Sequence, residues 1–177
     1  MLRYLLLLLA LSPSLSAFAA QPNVIVILAD DLGWKDVGFN GCTDIKTPNI
    51  DALAAGGAKF TQFYVQPMCT PTRAALMTGR YPIRTGLARD VIRQSDTHGL
   101  PLSEVTIAET LRPEYATALI GKWHLGHVAP HWPPTQHGFD RFVGLPYSHD
   151  MKPLALYTAE TGGAVTQEPV DFPHLTE

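Results

Sequence analysis

Three short stretches combine residue types that can do chemistry. Cys69 opens the run Cys69-Thr70-Pro71-Thr72-Arg73. Thr70-Pro71 is a helix start signal, because proline is accommodated in a first helical turn. Cys69 therefore falls immediately before a predicted helix N-terminus, where unpaired amides and the positive dipole end favour an anion. Arg73, within the first turn, carries a planar guanidinium suited to holding an oxyanion or orienting a nucleophile at position 69. A cysteine by itself is as readily a buried structural residue. Asp30 and Asp31 are adjacent carboxylates, hard oxygen donors of the kind a divalent cation takes, or simply a solvated turn. In Gly121-Lys122-Trp123-His124-Leu125-Gly126, an extended chain puts Lys122 and His124 on one face and Trp123 on the other. A lysine beside a histidine can bind an anion and move a proton; taken singly, either is ordinary surface or core material.

The elements that must position these residues follow from periodicity and punctuation. Residues 23–29 (NVIVILA) form a continuous β-branched run, which predicts a strand buried on both faces, as in a parallel sheet. A Gly- and Asp-rich loop covers residues 30–47. Thr47-Pro48 starts a helix with Ile50, Leu53 and Ala54 as its apolar stripe, and Gly56-Gly57 ends it. Residues 59–65 (KFTQFYV) alternate and predict a second strand. The helix begun at Thr70-Pro71 carries Ala74, Ala75 and Met77 and stops at Gly79. Ser103 is a candidate cap for a helix over residues 104–112, with Val105, Ala108 and Leu111 inward. Residues 115–120 (YATALI) predict another strand; beyond them Gly and Pro are frequent and periodicity is weak. Strand–helix alternation implies an α/β fold with a mostly parallel sheet flanked by helices. Ligands in such folds bind beyond the carboxyl ends of the strands, which selects Asp30-Asp31, the Cys69 loop and the segment after Ile120.

Composition narrows the classes. The 177 residues carry 13 Lys+Arg against 16 Asp+Glu, a net charge of −3. That balance argues against a nucleic-acid-binding domain, and two cysteines cannot build a disulfide scaffold. Residues 1–19 read as a cleaved secretory signal: Arg3, then an apolar run too short to span a bilayer, then Ala17-Phe18-Ala19 as a cleavage site. The expected destination is secreted, periplasmic or lysosomal, with no stable membrane span. Arg73, Arg80, Arg84, Arg89 and Arg93 make a local positive region, either steering an anionic substrate or simply solvated. The remaining histidines show no ligand spacing.

Cys69-x-Pro71-x-Arg73, followed by Ala-Ala-Leu-Met-Thr-Gly79-Arg80, resembles the modification signature of the type I, formylglycine-dependent sulfatases. Asp30-Asp31-Leu32-Gly33-Trp34 resembles their metal loop, and Gly121 to Gly126 a further signature of the family. The match runs from about residue 23 to residue 150. It is densest over residues 47–87, where it is most similar to the arylsulfatase A and B branches.

The resemblance implies an alkaline-phosphatase-like fold, residues 20–177 being an N-terminal part of the catalytic domain. It implies that a formylglycine-generating enzyme oxidises Cys69 to an aldehyde, whose hydrate attacks the sulfur of a sulfate ester. The second hydroxyl of that hydrate then expels sulfate intramolecularly. It further implies Ca²⁺ held by Asp30, Asp31 and the modified Cys69, with Lys122 and Ser148 binding the sulfate and Arg73 and His124 acting in catalysis. The family's later Asp-Asn metal pair has no counterpart here, so the 177 residues are expected to show little or no turnover alone. An aryl sulfate or a sulfated sugar is the expected substrate. Two alternatives stand beside this reading: a phosphonate or phosphate ester hydrolase of the alkaline phosphatase superfamily, and a non-catalytic fragment that binds sulfated glycans.

Overall fold

The structure, a computed structural model, describes residues 21–170. The expected leader over residues 1–19, and His174, lie outside them. The chain divides into two compact units, Met1–Asp51 and Ala52–Glu177.

In the first unit, residues 23–29 form no strand. Val24, Ile25, Val26 and Ile27 are all exposed, Ile25 and Ile27 at 83%. The expectation of a buried strand is therefore corrected. An extended apolar run becomes a strand only when a neighbour accepts and supplies its backbone hydrogen bonds, and no strand among the described residues pairs with this one. The order in this unit lies further on, around a 3-10 turn at Gly38–Asn40. There Asp51 Oδ1 accepts from Phe39 N (2.7 Å) and from the Thr47 hydroxyl (3.1 Å), while Gly38 N donates to Thr47 Oγ1 (2.8 Å). These bonds fix the entry to helix α1, Pro48–Gly56, which starts and stops where its punctuation says. Its apolar stripe is not packed, since Ile50 and Leu53 are exposed.

In the second unit residues 59–65 also form no strand, and Phe60, Phe63, Tyr64 and Val65 are exposed. The same lack of a pairing partner explains it. Helix α2, Cys69–Thr78, ends on Gly79 in the left-handed region (φ 63°), whose N–H closes on Ala75 O. A short helix α3 covers Pro82–Thr85. Helix α4, Ile107–Leu111, begins later than the Ser103 signal predicts, because Thr106 and Glu109 form a reciprocal capping box. Ser103 has no Glu or Gln three residues on. Val105 is consequently exposed, while Ala108 is buried.

The sheet is mixed, in the order β1-β2-β3-β4. Strand β1 (Ala118–Lys122) pairs in parallel with β2 (Arg141–Leu145). Strands β3 (Ala155–Glu160) and β4 (Thr166–Pro169) add antiparallel. The α/β class holds, with one parallel pair and two antiparallel ones. The strand expected over residues 115–120 starts three residues later and ends two later, and β2 to β4 arise where periodicity is weak. Gly144 in β2 is required by close approach: a Cβ there would sit 1.8 Å from Gly121 O on the paired strand. Helices and sheet share one core built on Ala74, Ile92, Leu100, Trp123, Leu125 and Phe142.

Candidate active site

Pairing in parallel with matched register makes β1 and β2 end side by side, Lys122 opposite Leu145. The two chains stay together past the strands, for Trp123 N donates to Leu145 O (2.9 Å) and His124 N to Pro146 O (3.0 Å). Lys122 and Ser148 therefore leave the sheet as neighbours, at the carboxyl end where such folds bind ligands.

Helix α2 brings Cys69 to the same place. Lys122 Nζ lies 3.1 Å from Cys69 Sγ and 3.1 Å from Ser148 Oγ. All three side chains are half-buried. Arg73, one turn along α2 and buried, donates from its guanidinium to the main-chain carbonyl of Lys122. Its observed role is to tie the helix to the end of β1. Removing a charge-assisted bond of this kind leaves a part-buried carbonyl without that partner and the helix without its tie to β1.

His124 departs from the extended-chain expectation. It adopts φ 57°, so the alternation fails after Lys122, and Trp123 and His124 are both buried. A non-glycine residue in that region is held there by its surroundings. Here His124 N bonds Pro146 O, the Thr70 hydroxyl donates to His124 O (2.9 Å), and the ring Nε2 bonds Ile92 O (2.9 Å). A carbonyl can only accept, so Nε2 carries the proton, and in the neutral ring Nδ1 carries the lone pair.

Asp30 and Asp31 belong to the first unit. Both are exposed, and Asp31 adopts φ 58°, a region short polar side chains tolerate. Two exposed carboxylates are chemically suited to a hard divalent ion. Cys42 and Cys69 are both free thiols.

Several residues carry roles that spacing does not reveal. Thr70 and Thr72 occupy the unspecified positions of Cys-x-Pro-x-Arg. Thr72 Oγ1 clasps residue 66, donating to Gln66 O (3.0 Å) and accepting from Gln66 N (3.1 Å). Asp150 is held below the ordinary carboxylate range, first by the Ser148 hydroxyl, then by its own backbone amide, with His149 and Lys122 adding positive charge. The arginine-rich stretch is not one open positive face. Arg80 grips buried Glu104 with both carboxylate oxygens (2.7 and 2.6 Å), Arg93 pairs with Asp90, and Arg73 is buried.

The sequence profile of the family described as Sulfatase matches residues 22–167. Arylsulfatase A of Bos taurus is 54% identical over 149 residues, 82% of this chain and 29% of that protein. The crystal structure of PsFucS1 sulfatase from Pseudoalteromonas sp. matches with a TM-score of 0.71 at 35% identity, covering 81% of this chain and 35% of that one. The crystal structure of Ps i-CgsB in complex with k-i-k-neocarrahexaose matches with a TM-score of 0.63 at 44% identity, covering 67% and 27%. The chain thus spans 29% of the length of its curated arylsulfatase A relative.

Proposed function

We propose, from the fact that this chain belongs to the sulfatase family, that it carries the nucleophile half of a secreted sulfate ester hydrolase. The observation that carries the reading is Lys122 Nζ seated 3.1 Å from both Cys69 Sγ and Ser148 Oγ. An ammonium placed there holds negative charge next to residue 69, and Ser148, whose hydroxyl oxygen accepts from that ammonium and whose proton faces Asp150, holds the lysine at that point. Arg73 keeps that lysine in place through its carbonyl. His124, protonated on Nε2, has Nδ1 as its proton acceptor in the neutral form.

The groups the family implies fit the chemistry of these residues. Asp30 and Asp31 offer exposed carboxylate oxygens of the kind Ca²⁺ takes. When present, the aldehyde hydrate supplies the attacking hydroxyl and Ca²⁺ the charge that draws a sulfate oxygen toward it. The remaining work falls to Lys122, Ser148 and His124, which bind the anion and move the proton. A sulfated sugar is the favoured substrate class, in keeping with the oligosaccharide held by Ps i-CgsB. An extracytoplasmic location accords with the leader-like residues 1–19. Among the described residues no helix is long and apolar enough to cross a membrane.

The test is a mass spectrum of the tryptic peptide spanning residues 60–73 after secretion from a host that contains a formylglycine-generating enzyme. The expected result is the lighter aldehyde at residue 69, reactive with a hydrazide. An intact thiol removes the nucleophile and leaves binding of sulfated glycans as the surviving reading. The 177 residues alone are expected to release little or no sulfate from an aryl sulfate; turnover at a complete enzyme's rate overturns that.

A further inference from the structure

Thr70, Ile92 and His124 close a ring of three hydrogen bonds. The Thr70 hydroxyl donates to His124 O at 2.9 Å, His124 Nε2 donates to Ile92 O at 2.9 Å, and Ile92 N donates to Thr70 Oγ1 at 3.1 Å. Thr70 and Ile92 are 0% exposed and His124 1%. The Thr70 hydroxyl both donates and accepts in this ring. Ile92, whose carbonyl accepts from the imidazole, is anchored to Thr70 through its own N–H. No member of a closed, dry ring can shift without stranding another member's polar group.

We propose that Thr70 is a positioning residue for His124. Through Ile92 its hydroxyl fixes the imidazole with the proton on Nε2 and the lone pair on Nδ1, so that proton uptake by the neutral ring goes through Nδ1 alone. The proposal deepens the reading of His124 as the acid–base group and rests on that reading for its consequence. It gives a physical reason for a hydroxyl residue beside Cys69. The residue next to the nucleophile sets the proton position on the ring that serves it, and helix α2 carries both.

Threonine and valine share a shape, but valine has no hydroxyl. Thr70→Val leaves the Ile92 amide and the His124 carbonyl without these partners inside the core, and frees the Ile92 segment from the helix. Thr70→Ser keeps the hydroxyl and loses only a methyl group.

The experiment uses the 177-residue chain with nitrogen-15 in its histidines. Two-bond proton–nitrogen spectra report which ring nitrogen is protonated, independently of any turnover. Wild type and Thr70→Ser are expected to show His124 as a single tautomer with the proton on Nε2. Thr70→Val is expected to lose that signature and show shifts averaged between the two tautomers. A Thr70→Val chain that keeps the pure Nε2–H tautomer overturns the proposal. Should Thr70→Val fail to fold, the Thr70 hydroxyl proton of the wild-type chain decides. Slowed exchange with water, with a cross-peak to the Ile92 amide, supports the ring. Exchange as fast as that of free threonine overturns it. An unmodified thiol at residue 69 would sink the sulfatase reading and leave the tautomer result standing, so the two failures are distinguishable.

Discussion

Residues 23–29 and residues 141–145 make an instructive pair. The first run is the more apolar and β-branched of the two, yet it forms no strand, and Ile25 and Ile27 are 83% exposed. The second contains Arg141 and Gly144 and lies in a stretch with little periodicity. It forms β2, flanked by a parallel neighbour on one side and an antiparallel one on the other, with Phe142 fully buried. Side-chain type proposes a strand, and backbone partners decide it. The functional candidates divide along the same line. Cys69, Lys122 and Ser148 are seated by paired strands and a packed helix, while Asp30 and Asp31 are exposed and follow a run with no strand beside it.

The sharpest way to break that division is at residue 69. If residue 69 is modified as proposed, and on the unfolded chain, the local Cys69-x-Pro71-x-Arg73 signal is what the modifying enzyme reads. Hydrazide labelling is therefore expected to vanish in Cys69→Ala and to persist unchanged in Asp30→Asn. Loss of labelling in Asp30→Asn would mean the two regions are not independent in this respect.

Packing gives the next largest contrast. Phe142→Ala opens a cavity beneath the sheet and is expected to cost about 3–5 kcal/mol. Ile25→Ser, at an exposed site, is expected to change stability by about 0.5 kcal/mol or less. The urea midpoint of each variant measures the difference. Equal losses would show that residues 23–29 are packed in solution, contrary to their exposure here.

How much of this was legible depends on whether a feature is local. Helix α1 begins and ends at its Pro and Gly signals, and α2 ends at its Gly signal, because capping involves residues a few positions apart; α2 begins two residues before Pro71, with Cys69 as its first residue rather than the one before it. The nucleophile run and the Lys122-His124 pair were visible as residue types for the same reason, whereas Ser148 came into view only through the family resemblance. The chain turn at His124 was not, because its φ of 57° is held by Thr70, Ile92 and Pro146, which lie 54, 32 and 22 positions away in number. The parallel pairing that makes Lys122 and Ser148 neighbours was hidden likewise. The late start of α4 is a different case: Thr106 with Glu109 was readable, and Ser103 was the weaker of two local signals. Thr106→Ala, which loses the cap and the bond from its hydroxyl to His137 O (2.7 Å), is expected to cost about 1–2 kcal/mol. An unchanged urea midpoint would show that the Ser103 signal can take over the helix start.

The smallest expected effect concerns a histidine that sequence left without a role. His137 is 1% exposed, its ring 5.2 Å from that of Trp123, and its Nε2 bonds His131 O at 3.2 Å. Burial pushes its pKa below the ordinary 6.5, against smaller opposing effects from the His131 carbonyl and Glu109. In the unfolded chain the same ring takes a proton near its ordinary value. Below that value the unfolded state binds more protons than the folded one, so stability falls as pH drops through 6.5 toward the depressed folded value. Above 6.5 both states hold the ring neutral and its contribution is constant. Urea midpoints measured between pH 8 and pH 5 are therefore expected to be flat at first and then decline, with His137→Gln declining less steeply than wild type. Identical slopes would place the acid sensitivity in groups other than His137; Asp140, whose pKa is lowered first by the Thr117 amide, stays ionised in folded and unfolded chains across this range and cannot supply it.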